Sequence, residues 1–431
     1  MPFAKVNEIL IMQKNNLYAG LDLGTSGIRL CVIDADKNVI NQSRIDYSAP
    51  QQQTATLWWH HSGSLLKALP EIIKKQLRYL AIDGTSGSLL LTDSNGEPYT
   101  KPLLYNNHDT KFQWHGQTLS ELSDTFVRVL RLLESVDNLN PQTMRIVTQA
   151  DYIKGKLTGQ FTLSDENNCF KLGYDSLNQQ WPAWIADYGI TQTMLPNVVT
   201  TGNVVAHIER SQAIALGLPT ELQLVAGTTD SIAAVMATGI DTIGNAVTSL
   251  GSTLVLKILA DRPITDLNYG VYSQPYQGRW LVGGASNCGG QILRQFFDAQ
   301  TMHALSAQIS IQQPTGLHYY PLTSIGERFP INDPHKQPKL SPRPKSDVVF
   351  FQALLESLSA VEQLGYQRLQ QLGAPAITHV ISVGGGSYNQ PWLQLRQQGL
   401  GLPVITARYT EAAYGSALLA LQGDQLKEDP V

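Results

Sequence analysis

The sequence predicts a two-domain α/β protein with a mixed sheet in each domain, and three observations carry the prediction. At 431 residues the chain exceeds the roughly 250–300 residues at which a single core usually stops growing. Short apolar runs alternate with helical stretches, the order expected when crossovers pack on a sheet. The hairpin expected at 246–257 is built like the opening of the chain at 18–33, so a second domain should begin near residue 237. The expected division is an extension at 1–16, a first domain at 17–236 and a second at 237–425. A last helix from about 411 is expected to pack back on the first domain.

Strands at 18–22, 28–34 and 39–45 form a meander, with Asp34-Ala35-Asp36-Lys37-Asn38 as its second turn. A helix is expected at 63–76, then a strand at 80–82 leading into Asp83, and another at 89–92 before Ser94-Asn95-Gly96. Residues 107–220 read as mostly helical and irregular insertions. A strand at 222–226 delivers Gly227-Thr228-Thr229-Asp230. Residues 230–239 then read as a helix, with Asp230 as an N-cap type and a glycine at the end. Strands at 269–273 and 280–283 extend the second sheet. Apolar residues at 351, 354, 355, 358, 361, 364, 369 and 372 form a helical stripe ended by Gly373 and Pro375. A strand at 377–383 runs into Gly384-Gly385-Gly386, after which Asn389 can cap a helix with Pro391 in its first turn.

Composition narrows the function. Hydrophobic residues make up 42% of the chain, enough for sizeable cores, and charged residues only 15%, below the usual soluble average of about 25%. The net charge of −4 comes with no basic stretch, which argues against a nucleic-acid partner. Cys31, Cys169 and Cys288 are scattered and form no metal spacing, which suits a reducing, cytoplasmic setting. No apolar run approaches the ~18 residues of a membrane span. Small-molecule partners are expected, for a monomer or a homodimer.

The chemistry gathers in turns after strands. In Asp22-Leu23-Gly24-Thr25-Ser26-Gly27 the glycines bring backbone N–H groups close to an anion, and two hydroxyls add donors. Asp22 offers one carboxylate for a phosphate-bound Mg²⁺. Asp83-Gly84-Thr85-Ser86-Gly87 repeats the pattern, and Gly251-Ser252-Thr253 does so again far downstream. Three such turns point to a nucleotide or phosphorylated-substrate site, and the Gly384 triplet reads as its adenosine end, with adenine packed against Trp392. Walker and dinucleotide-binding glycine fingerprints are both missing. Trp58-Trp59-His60-His61 reads as packing and surface, and the glutamines at 51–53, 370–371 and 397–398 as solvated.

These motifs, with Glu411-Ala412-Ala413-Tyr414-Gly415-Ser416-Ala417, resemble the FGGY family of carbohydrate kinases in order and spacing from Leu17 to about Leu421. That family lies within the sugar kinase, actin and heat-shock ATPase superfamily. The resemblance implies two ribonuclease H-like domains with the active site in the cleft between them. A closer similarity, to the compact D-ribulose kinases of cyanobacteria and plants, rests on three runs. They are Ala81-Ile82-Asp83-Gly84-Thr85-Ser86-Gly87, Gly283-Gly284-Ala285-Ser286-Asn287-Cys288-Gly289-Gly290 and Gly326-Glu327-Arg328-Phe329-Pro330-Ile331.

Carried over residue by residue, the resemblance implies Asp230 as the base, assisted by Asp22 and Thr25. Asp230 should stay ionised near neutrality because a helix N-terminus favours its charge. Asp22, Ser26, Gly27, Ser86, Asp230 and Ser231 would meet the sugar. Gly24, Thr25, Gly251, Ser252, Thr253, Gly384, Gly385, Gly386, Asn389 and Trp392 would meet ATP, with Mg²⁺ held by Asp22 through water. The implied reaction is phosphorylation of D-ribulose to D-ribulose 5-phosphate. The rivals are D-xylulose or another polyol, and a sugar- or nucleotide-binding protein on the same fold. Asn106-Asn107-His108-Asp109 stands where glycerol kinases carry an Arg-Glu pair, which argues against glycerol. Arg128 stands where many relatives have a lysine, without their following tryptophan.

Overall fold

The computed structural model describes residues 16–109, 111–116, 119, 122–137 and 140–428. The expected extension at 1–16 therefore lies, apart from Asn16, outside the described residues. The chain divides into two compact units. One runs to Ala237 and takes in the chain from Glu411 onward; the other is Thr238–Thr410.

The first unit is built on β1 (Leu17–Leu23), β2 (Gly27–Ile33), β3 (Val39–Asp46), β4 (Leu77–Gly84), β9 (Val204–His207) and β10 (Gln223–Thr229). Between β4 and β9 come β5 (Leu89–Thr92), β6 (Arg145–Thr148), β7 (Leu163–Asp165) and β8 (Asn197–Val199). The main sheet has the order β3-β2-β1-β4-β10-β9. β1, β4 and β10 are parallel and the outer pairs antiparallel. All seven residues of β1 are buried, as a central strand covered on both faces requires.

Helices α1 (Ala55–Lys67), α2 (Glu71–Gln76), α3 (Asp124–Glu134), α4 (Gln149–Thr158), α5 (Glu166–Lys171), α6 (Arg210–Leu216) and α7 (Asp230–Ala237) complete the first stretch. The single helix expected at 63–76 is two. Thr54 starts α1 early, its Oγ1 accepting from the Leu57 N–H at 3.1 Å. Pro70, without an N–H and suited only to a helix start, opens α2. The strand expected at 89–92 pairs with β6 in a separate two-stranded sheet. The insertion region at 107–220 carries four short strands besides its helices, and β9 joins the main sheet.

The second unit repeats the plan. Its strands are β11 (Asn245–Leu250), β12 (Leu254–Ala260), β13 (Tyr272–Tyr276), β14 (Arg279–Ser286), β15 (His379–Val383) and β16 (Val404–Thr406), in the order β13-β14-β12-β11-β15-β16. β11, like β1, opens an antiparallel meander on one side and meets parallel strands on the other. The strand expected at 269–273 begins at Tyr272, because Asp266 caps a 3-10 turn at Leu267–Tyr269. Helices α8 (Gln291–Phe296), α9 (Ala299–Ser306), α10 (Asp347–Gln371) and α11 (Gln390–Leu400) cover this sheet. The core centres on Phe350, Phe351, Leu354, Leu358 and Tyr366 of α10 against β11, β12 and β14.

The last helix, α12 (Ala412–Glu428), belongs to the first unit and packs on β1 and α7. Two glycines permit the approach. A Cβ on Gly20 would collide with the Ala413 carbonyl and the Ala417 N, and one on Gly415 with the Ala233 carbonyl. Backbone atoms cannot swing aside as a side chain can. We predict that Gly20→Ala destabilises the protein by about 3 kcal/mol or more, seen as a lowered thermal midpoint. Gly399→Ala, on exposed helix with nothing near the new methyl, should be neutral or gain up to about 1 kcal/mol. Equal midpoints for the two variants would refute the packing argument.

Candidate active site

Ligands of parallel sheets collect outside the carboxyl ends of the strands, and in the first unit those ends gather three carboxylates. Asp22 of β1 faces Asp83 of β4 in register, and Asp83 faces Thr228 of β10. Asp22 and Asp83 are 4% and 0% exposed. Two like charges cannot both persist there. Burial, reinforced by the Asp22 charge, pushes Asp83 well above the usual carboxylate range. Asp83 Oδ2 accepts from Ser416 Oγ of α12 at 2.5 Å, while its buried Oδ1 meets no protein donor. Burial raises Asp22 as well, but Arg29 Nη1 at 3.1 Å opposes it. Arg29 Nε reaches Glu411 at 3.3 Å, so one guanidinium joins both ends of this unit's sequence.

Asp230 is the first residue of α7. Its Oδ1 accepts from its neighbour Ser231 N at 2.7 Å rather than from the N2 or N3 amides that an N-cap serves. The Ser86 N–H also points to it. Burial, and after it the Asp22 charge, outweighs these donors and lifts Asp230 to about 6. The helix N-terminus favours the charged form, and burial and the Asp22 charge work against it. Asp230 is mostly ionised at neutral pH, yet it holds a proton far better than a surface aspartate. Lys171 of α5 supplies positive charge to it and is itself lowered by burial.

Two glutamines wire the turns together. Gln53 Nε2 donates to the Thr25 carbonyl at 3.1 Å, and its Oε1 accepts from Trp58 Nε1 at 2.7 Å. Gln149 donates to the same Oε1 at 3.4 Å, and its own Oε1 accepts from Thr85 N and Thr85 Oγ1. Gln53 is thus buried and structural, not solvated as its setting among glutamines suggested. Arg128 fits beside the Ser86 turn, donating from Nε to the Gly87 carbonyl at 3.0 Å.

In the second unit the glycine loops form a pocket of about 830 Å³. Gly251, Ser252, Gly385, Gly386, Asn389 and Trp392 line it, with Arg294, His303, Met302 and Tyr388. Its walls are mainly apolar, and Arg294 Nη2 donates to Ser252 Oγ at 2.8 Å. The shape and lining fit a base and a sugar, with donors and one cation toward the Ser252 end.

The residues expected from sequence are not equivalent in their surroundings. Asp22, Ser86 and Asp230 come together, and the Ser86 Oγ is buried without a partner. Thr25 Oγ1 meets Tyr105 OH at 3.3 Å, and Ser231 is exposed beside Asp230. Ser26 is exposed, with its carbonyl accepting from Tyr47 N. Gly27 corrects its expected sugar contact: it is buried against β3 and its carbonyl closes the turn on Gly24 N at 3.0 Å. In the pocket, Thr253 and Gly384 stand behind the lining. The Thr253 carbonyl accepts from Gly251 N, and Gly384, at φ 83°, lies against the Leu250 carbonyl. Asn389 spends its amide on Ser306 Oγ and its oxygen on Trp392 N. Trp392 is 2% exposed, so it is no open platform for adenine. Its ring lies directly under Gly386 and forms the floor. Sequence reasoning named Asp83 in its turn without a role and missed Arg29, Gln53, Gln149 and Arg294. Arg29 had a signal, a lone charge inside an apolar strand; Gln149 and Arg294 had none.

A magnesium ion needs oxygen ligands and keeps several waters when phosphates share it. Among the described residues no three His, Cys, Asp or Glu side chains form a cation cage. The Asp22 carboxylate, paired with Arg29, fits a cation carried mainly by phosphates.

Comparison with known proteins gives the family and the fold. The FGGY family of carbohydrate kinases matches through its N-terminal domain at residues 105–237 and its C-terminal domain at residues 246–422. The chain is 22% identical to the xylulose kinase of Staphylococcus epidermidis, over 94% of this chain and 87% of that one. Its fold superposes on a kinase from Brucella ovis described as a xyloylose kinase, with a TM-score of 0.81, 21% identity and coverage of 95% and 91%. For the gluconate kinase of Lactobacillus acidophilus the TM-score is 0.80, with 17% identity and coverage of 96% and 90%. The chain belongs to the FGGY family of carbohydrate kinases and is an ATP-dependent carbohydrate kinase. Among the described residues no helix is long and apolar enough to cross a membrane.

The local geometry is testable at Asp230 and at Gly385. With Asp230 as a base, kcat/KM should rise through an apparent pKa of about 6 and level off above it; a rate flat down to about pH 4.5 would remove Asp230 from that role. The folded pKa lies above the unfolded value, so the wild type loses stability as pH rises from about 4 through about 6. Asp230→Asn lacks that loss, and its stability relative to wild type should improve by about 1–3 kcal/mol over that interval. At Gly385 a Cβ would meet nothing within 4 Å. Gly385→Val should keep the wild-type melting point while raising the apparent KM for ATP about tenfold or more; an unchanged ATP KM would move the nucleotide elsewhere.

Proposed function

We propose that this kinase phosphorylates a ketopentose, D-ribulose first, at its terminal hydroxyl, giving D-ribulose 5-phosphate. The reading rests on the resemblance of three sequence runs, around Asp83, Ser286 and Glu327, to compact D-ribulose kinases. Two of these runs meet through one buried side chain. Glu327 accepts from Ser286 Oγ at 2.7 Å, from Asn287 N at 2.7 Å and from Tyr320 OH at 3.0 Å. D-xylulose is the second reading, favoured by the xylulose kinase names of the relatives.

In the proposed mechanism the first unit handles the sugar and the second the nucleotide. The Ser86 hydroxyl, buried and unpartnered, and the Asp22 and Asp230 carboxylates receive the sugar's hydroxyls. Asp230 Oδ takes the proton of the terminal hydroxyl as its oxygen bonds to the γ-phosphorus and the bond to the β-phosphate oxygen breaks. Phosphoryl transfer asks mainly for positioning and charge stabilisation. The Gly24–Thr25 turn, with Arg29 over it, and the Ser252–Arg294 pair supply donors and positive charge. A bound Mg²⁺ beside Asp22 would neutralise phosphate charge.

The test is ATP consumption across pentuloses, pentitols, hexuloses, gluconate and glycerol, with products identified. D-ribulose should support the highest kcat/KM, and Asp230→Ala should lower it about 10²–10⁴-fold while leaving ATP binding intact. Turnover of D-xylulose or gluconate with D-ribulose inert would overturn the substrate reading and leave the kinase standing.

A further inference from the structure

Behind the glycine loops of the nucleotide pocket lies a buried charged network that none of the chemistry above uses. Arg396 of α11 donates from Nε to Glu362 Oε2 and from Nη2 to Oε1, both at 2.6 Å, and from Nη1 to Ser382 Oγ at 2.6 Å. Glu362 of α10 also accepts from Thr248 Oγ1 at 2.5 Å, and Thr248 lies 2.8 Å from Tyr366 OH. The Arg396 and Glu362 side chains are 0% and 1% exposed.

The placement of the partners matters more than their number. Thr248 and Ser382 face each other in register on the parallel strands β11 and β15. Thr248 lies shortly before the Gly251 loop, and Ser382 sits just before the Gly384 loop. One bidentate pair therefore holds the ends of both strands, directly at Ser382 and through Glu362 at Thr248. One helical turn before Arg396 stands Trp392, the pocket floor under Gly386, with its Nε1 donating to Ser359 Oγ of α10 at 3.2 Å. Helices α10 and α11 are thus pinned at two successive levels.

The loops have little slack. A Cβ on Gly384 would stand 2.8 Å from the Leu250 carbonyl oxygen, and one on Gly386 would stand 2.9 Å from Leu250 Cβ. Misplacing such backbone by about an ångström costs affinity and rate out of proportion to the size of the shift. A buried ion pair is a weak source of net stability, because desolvation offsets its attraction, and apolar replacements of similar volume often fold as well. What the pair orients is then a better account of it than what it stabilises.

We propose that the Arg396–Glu362 pair is a positioning element for nucleotide binding. It sets the spacing of the Gly251 and Gly384 loops and, through Trp392, the floor of the pocket, without touching the nucleotide. The proposal rests on the nucleotide reading of this pocket.

The experiment compares wild type, the double variant Glu362→Met with Arg396→Met, and Arg396→Lys. It measures ATP binding by calorimetry, apparent KM for ATP and for the sugar that supports wild-type turnover, and melting temperature. The double variant should melt within about 5 °C of wild type and bind ATP at least about tenfold more weakly. Its sugar KM should change by less than about twofold. Arg396→Lys keeps the charge but loses the fork and should fall between. Wild-type ATP affinity in the folded double variant overturns the proposal. So does an equal loss of sugar and ATP affinity, the mark of general loosening. Should the double variant fail to fold, Arg396→Lys decides alone, and wild-type ATP affinity there overturns the proposal. Wild-type protein that binds no ATP overturns the nucleotide reading itself, a result visible without any variant.

Discussion

Two aspartates stand side by side on neighbouring parallel strands, both buried, and the first unit is arranged around that constraint. Register places Asp22 against Asp83, and burial beside a like charge pushes Asp83 well above the usual carboxylate range. Every close partner then has a use. Ser416 holds Asp83 from the last helix, and Arg29 holds Asp22 from the adjacent strand and reaches Glu411. The Asp22 charge in turn helps to lift Asp230 toward neutrality. In the base role proposed for Asp230, a pKa near working pH is what general-base chemistry favours, and burial and a neighbouring carboxylate raise it that far.

The chain uses one topology twice for different ends. In each unit a central strand opens an antiparallel hairpin through a glycine turn and runs parallel to a later strand that ends at another. In the first unit the two strand ends carry acids. In the second the equivalent ends carry bare glycines and small hydroxyls over an apolar pocket. The supports differ accordingly. Neutral glutamines join the turns around the acids. A full ion pair lies behind the glycine loops.

Glycine makes the last helix part of this arrangement. Gly20 and Gly415 let α12 lie against β1 and α7 at backbone contact distance. That contact brings Ser416 to Asp83 and braces the helix that begins with Asp230. A segment far along the chain from Asp230 thereby helps to define its surroundings.

Sequence alone was enough for the class, the two-unit plan and most strands, because apolar periodicity and strand-end glycine turns are local signals. It also marked Asp22, Ser86 and Asp230, each of which follows an apolar strand. The break at Pro70 and the cap at Thr54 are local chemistry that the single helix expected at 63–76 left out. Tertiary structure decided the rest. Gln53 and Gln149 are ordinary glutamines until the fold brings them within reach of each other across 96 residues. Gly27 and Trp392 stand among the expected ligand contacts, yet Gly27 packs against β3 and Trp392 is a buried floor beneath Gly386 rather than an open platform. The raised pKa values of Asp83 and Asp230 and the Arg396–Glu362 pair all depend on burial and on distances between remote residues. Those quantities belong to the folded chain, since no local run of residues determines which charges lose their water together.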